Sequence, residues 1–205
     1  YKWGQLFRQS TNEDRVRNDA GSMSILQGAL TTGYHIRTGV VNGSTTNDFN
    51  GYLDGSSLTS VTLASFSANT HQKTQLGRNV HNAIWFLDGQ LAEVIIFSTA
   101  LSTTERRLID NYLAAKYGLT ISNDKYSFQG THPNEVAGIG QESSTDNHTS
   151  SQGTSIVLIE GASDLDDGEY LIWGHNGGAF ASQSTEIPVP LTGGARLTRE
   201  WVADE

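Results

Sequence analysis

The sequence predicts an all-β protein, a β-sandwich carrying one well-made helix, and three observations predict it. Charged residues are only 17% of the chain while glycine alone contributes 22 positions, beside abundant Ser, Thr and Asn. That composition suits short strands joined by tight turns rather than a helical bundle. Turn signals recur at Asn42-Gly43, Asn50-Gly51, Asp54-Gly55 and Asp88-Gly89, and strands recur too closely for crossover helices to join them. Apolar residues take on helical spacing in one place only, after Ser102.

In chain order, the patterning places strands at residues 1–7, 34–41, 58–65, 73–77 and 84–97. Within the last, Asp88-Gly89 would fold residues 84–87 back onto 91–97 as a hairpin. The run LAEVIIF is apolar on both parities apart from Glu93, as expected of a central strand covered on both faces. Then Ser102-Thr103-Thr104-Glu105 is a capping box, and Leu108, Ile109, Tyr112, Leu113 and Tyr117 supply one apolar helix face, with Arg106, Arg107, Asp110 and Lys116 off it. Gly118 closes the helix. Residues 121–155 are polar and turn-rich, and SIVLIEG and EYLIWG follow as two apolar strands around ASDLDDG. The expected domains are therefore 1–120, a sandwich ending in the helix, and 121–205, a second β unit. Both termini read as the middle of strands, so the chain reads as an excerpt of a longer protein.

Charge narrows the partners. The formal charge is −9 and the 13 Lys and Arg are scattered singly, so no basic stripe suits nucleic acid. No apolar run reaches the ~20 residues that cross a bilayer, so no membrane insertion is expected. With no cysteine there is no disulfide and no thiolate chemistry. An acidic, low-lysine surface suits an extracellular or cell-surface location and can hold divalent cations, though it also serves simply as a solvated surface.

Several groups are candidates for chemistry. Glycoside hydrolysis needs two carboxyls about 5 to 9.5 Å apart. Asp88 and Glu93 stand at an odd separation across a turn, and Glu93 reads better as a partly buried carboxylate bonded to backbone or Arg. The loop DLDDGEY concentrates Asp164, Asp166, Asp167 and Glu169, oxygen donors suited to Ca2+, although an Asp-Gly tight turn accounts for the same residues. The six histidines show no metal-ligand spacing, no Gly-x-Ser-x-Gly elbow occurs, and GHNGGAF reads as a turn. Trp3, Trp85, Trp173 and Trp201 sit in apolar strand patterns. Tyr34, Tyr52 and Trp85 are the expected members of an exposed platform for sugar rings.

The segment DGQLAEVIIFSTALSTTERRLIDNYLAAKYGL resembles the closing hairpin and terminal helix of bacterial laminin G-like, concanavalin A-like jelly-roll domains. EVAGIGQESS, EYLIWGHNGGAF and RLTREW are similar to an uncharacterised β-sandwich module that follows such jelly rolls in large bacterial surface proteins. The resemblance implies a jelly roll with further strands before Tyr1, and a calcium site on one rim that Asp48, Asp54 and Asp88 could join. It implies a non-catalytic module of an adhesin-like protein, binding a glycan or other surface ligand beside other domains of a longer chain. A structural spacer or assembly unit, and a polysaccharide-active hydrolase, stand as the alternatives.

Overall fold

A computed structural model describes residues 5–10, 13–18, 21–26, 31–42, 46–58, 61–64, 76–77, 86–153, 156–183 and 196–205. The all-β expectation holds: antiparallel strands dominate and one helix, α1 (Thr103–Tyr117), interrupts them. The chain forms two compact units, residues 1–30, 40–50 and 59–100 in the first and 31–39, 51–58 and 101–205 in the second. A boundary at 120/121 would cut the second unit through its core. No helix among the described residues is long and apolar enough to cross a membrane.

In the first unit β1 (Gln5–Ser10), β2 (Glu13–Asn18) and β3 (Gly21–Leu26) make an antiparallel meander in which β2 is central. β4 (Arg37–Asn42) leads to β5 (Thr46–Leu53), whose first half pairs with β7 (Val61–Ala64) in the register Phe49 to Val61. Asn50-Gly51, a turn by composition, lies inside β5. Asp54-Gly55 is a turn as expected: both residues take positive φ, 47° and 79°, and join β5 to β6 (Ser56–Ser57) through a two-residue loop.

The run 91–97 departs from expectation. Residues 87–100 form no strand, and Leu91, Val94, Ile95, Ile96 and Phe97 are exposed. Glu93 is exposed as well, not partly buried. A strand is a relation between two backbones, which apolar composition calls for but cannot supply. Of the strands expected beside it, residues 73–75 and 84–85 lie outside the described residues.

The second unit is built in layers around the sheet β15-β12-β8-β9, formed by Trp201–Asp204, Tyr170–His175, Asn134–Ser143 and Asp146–His148. Helix α1 covers one face. A Cβ on Gly138 would stand 2.8 Å from Leu108 Cδ2 and 2.9 Å from Ile172 Cγ1, so bare glycine backbone lets the helix approach. Ala115, Tyr126, Val136, Tyr170 and Ile172 form the core there. On the other face lies the antiparallel pair β10 (Ser151–Gly153) and β11 (Val157–Ile159), where Gly153 meets Trp173 and its cross-strand partner Ala137. The two remaining short strands, β13 (Ser182–Gln183) and β14 (Arg196–Leu197), pair with each other.

The helix caps form as the sequence predicts. Glu105 N donates to Ser102 Oγ, Ser102 N donates to Glu105 Oε2, and Gly118 closes the helix at φ 63°. A further cap comes from far away: Thr103 N and Thr104 N each donate to the Asp146 carboxylate at 3.0 Å. Two expectations about the helix surface are reversed. Arg106 and Asp110, expected off the packed face, are 4% and 1% exposed. Segments 31–39 and 51–58 cover them: Arg106 pairs with Asp110 at 2.7 Å and stacks 3.8 Å from the Tyr52 ring centre, while Thr38 Oγ1 donates to Asp110. Burial pushes the Asp110 carboxyl up, against the pull of Arg106.

Candidate functional site

One end of the second unit brings five side chains into a closed ring of contacts. β8 and β12 run antiparallel, but their register slips between Trp173 and His175, leaving Glu135 as a bulged residue at φ 54°. Left-handed backbone costs a non-glycine residue on the order of 1 kcal/mol, and bulges re-aim side chains. Here the bulge aims Glu135 at His175: Oε2 lies 2.6 Å from Nε2 of the buried imidazole. The other ring nitrogen, Nδ1, accepts the Gly177 amide at 2.9 Å. A neutral ring with Nδ1 accepting carries its proton on Nε2, so the network assigns His175 as donor to Glu135.

The ring closes through two more segments. His175 packs against Trp201 with ring centres 5.9 Å apart, and Trp201 lies 6.3 Å from Phe180 at an interplanar angle of 37°. The Arg199 guanidinium stands 3.8 Å over Phe180, its Nη1 is 3.9 Å from Glu135 Oε2, and its Nε donates to Gly178 O at 2.7 Å. The loop GHNGGAF is thus a turn, as read, but a pinned one: Gly177 takes φ 78°, and Asn176 Oδ1 accepts from the amides of Gly178 and Glu200. Phe180 remains 54% exposed and Glu135 48%. The result is a half-exposed Phe180, with Arg199 over one face, beside a partly exposed Trp201 and a carboxylate.

The residues expected from sequence fall elsewhere. Tyr34 is exposed but stands apart from the ring in the chain and is not among its contacts. Tyr52 is only partly exposed and lies against the buried Arg106–Asp110 pair, with the Arg106 guanidinium on its face, so less of its ring is open than of Phe180. Trp85 and Trp3 lie outside the described residues. Trp173 is core.

Asp164, Asp166, Asp167 and Glu169 do not converge on a cation, for no cluster able to hold a metal ion occurs among the described residues. They build a tight turn instead. Gly168 sits at φ 93°, Asp166 N donates to Glu169 Oε2, and Gln141 Nε2 of β8 donates to Asp167 Oδ1 and Leu165 O. Asp54, offered for a calcium rim, is spent on Ile36 N at 2.8 Å and His35 Nδ1 at 2.7 Å. Asp88 is exposed on the irregular segment 87–100.

A shallow concavity of about 660 Å³ lies between Lys125, Tyr126, Glu169, Tyr170 and Asp204. Its lysine is engaged by Gly168 O and the Tyr170 ring, 3.3 and 5.2 Å away.

Sequence reasoning missed Glu135, His175, Phe180 and Arg199, and assigned Trp201 to packing. Their signal was present in EVAGIG, which falls in the stretch read as polar and turn-rich, in WGHNGGAF, read as a strand end and a turn, and in TREW, read as strand. Over residues 105–205, which include the whole ring, the chain is similar to a family described as "Domain of unknown function (DUF8202)". No curated protein and no solved structure matches the chain.

Proposed function

We propose that this chain is a non-catalytic ligand-binding module, its ligand a glycan, working outside the cell or on its surface within a longer adhesin-like protein. The observation that carries the reading is the exposed Phe180 beside Trp201, held rigid by Arg199, Glu135 and His175. Aromatic faces bind the apolar face of a sugar ring, and a preorganised surface loses little entropy on binding. A single carboxylate stands in the ring where glycoside hydrolysis usually takes two, which favours binding over turnover. In the same proposal α1 is the terminal helix of a laminin G-like element, a reading supported by its capping box and its Gly118 cap.

The test is a glycan array on the full chain, followed by titration with Phe180→Ala and Trp201→Ala. Binding that weakens at least tenfold in both variants, with melting temperature within a few degrees, is the expected outcome. Wild-type chain that binds nothing, with or without added Ca2+, rejects the proposal. A spacer role is the second reading. The bonds that pin the 176–180 loop to Arg199 and Glu200 favour it, since they also do the work of a purely structural clasp.

A further inference from the structure

Resting on the reading of this surface as a glycan platform, one group at its edge narrows the class of sugar. Glu135 is held from three sides: its backbone by the bulge, its Oε2 by His175 Nε2 at 2.6 Å, and the same oxygen by Arg199 Nη1 at 3.9 Å. No donor among the described residues reaches Oε1, and the side chain is 48% exposed. An ionised carboxylate only accepts hydrogen bonds, so a ligand atom at Oε1 has to be a donor. Because the carboxylate is already oriented, a hydroxyl placed there gains a charge-assisted bond without ordering the side chain first.

The neighbouring groups refuse the opposite chemistry. Arg199 is the cation of the ring, but its Nε is held by Gly178 O, its plane lies over Phe180, and the carboxylate of Glu135, 3.9 Å from Nη1, already offsets its charge. A uronate or sulfate would meet the Glu135 charge at close range, on a chain of formal charge −9. We infer that Glu135 is the specificity-determining residue of the platform, accepting a hydroxyl of an uncharged sugar ring stacked beside Phe180 and Trp201, and excluding anionic sugars.

The experiment uses the full chain and two sets of probes: neutral oligosaccharides of glucose, mannose and galactose, and anionic alginate and heparin fragments. Neutral probes should bind and anionic ones should not. Glu135→Gln is the decisive variant. Its amide oxygen can still accept from His175, while an NH2 donor replaces the ligand-facing acceptor, so neutral-sugar affinity should fall more than tenfold with an unchanged melting temperature. Glu135→Gly supplies a second test, because glycine suits φ 54° and keeps the bulge while removing the carboxylate. It should lose affinity likewise.

If both Glu135 variants bind as tightly as wild type while Phe180→Ala does not bind, the inference is overturned and the platform stands. Preferential binding of alginate or heparin overturns it too. Absence of all binding to the wild type removes both the inference and the platform beneath it.

Discussion

At the scale of single residues, Asp146 shows how much one carboxylate can be asked to do. It takes the first two amides of α1, and Thr104 Oγ1 donates to its carbonyl at 2.8 Å. Burial raises its pKa, but the bonds from Thr104, Ser102 and Thr103 together outweigh burial and hold it down at about 2, from an ordinary 3.8. A depressed carboxyl contributes stability that is present above its unfolded value and lost as the pH falls through its folded one. Stability should therefore drop by about 1–2 kcal/mol between pH 4 and 2, the lower figure allowing for solvent screening. Acid titrations of denaturant midpoints should show that step in the wild type and a flatter profile in Asp146→Asn. Tyr170 has the opposite sense: burial, then its bond to Glu142 at 2.6 Å, pushes it up to about 12. That contribution is full below pH 10 and fades as the pH rises through about 12, and Tyr170→Phe should remove it. None of this was legible in sequence, because Asp146 lies in a stretch that reads only as polar and turn-rich and its partners are some 42 positions away.

At the scale of elements, α1 is the best-read part of the chain and the most instructive misreading. Its limits were visible because capping is local: Ser102, Glu105 and Gly118 satisfy neighbours three or four residues away. Ser102→Ala should cost about 1 kcal/mol, and Gly118→Ala, forced into φ 63°, a similar amount, both measurable by urea melts. Which face is buried was not local knowledge. Amphipathic spacing put Arg106 and Asp110 outside, and segments arriving from residues 31–39 and 51–58 put them inside. Removing one partner leaves the other charged and buried, so Asp110→Ala should destabilise by roughly 3–5 kcal/mol, far beyond the surface-pair value that the sequence implies. β8, the longest strand, escaped notice for a related reason. Its glycines at 138 and 140 look like turn punctuation, whereas a Cβ on Gly140 would stand 2.4 Å from the Tyr170 ring and one on Gly138 would strike the helix.

At the scale of the whole molecule, sequence order and spatial order differ. Composition and turn spacing disclosed the all-β class, yet the compact unit that holds α1 takes in two earlier segments, and Ile36 packs with Ala114 and Ile121. A chain beginning at residue 31 should consequently keep the native melting behaviour of this unit better than one beginning at residue 101. The shorter chain uncovers Arg106, Asp110 and Ile121, and differential scanning calorimetry should show a lower midpoint by several degrees. The candidate ligand surface escaped prediction on the same grounds. Glu135, His175, Phe180, Arg199 and Trp201 are drawn from three stretches, and only a register slip between two strands brings the first two together.

The long-range cap on α1 carries a consequence in time as well as in energy. Asp146 joins the growing chain after the whole helix, so the first two helix amides lack its carboxylate until the β8–β9 pairing has been made. Short isolated helices are marginal in water. The long-range cap of the helix therefore requires closure of the hairpin, and the last piece of the helix to be written is not in the helix at all.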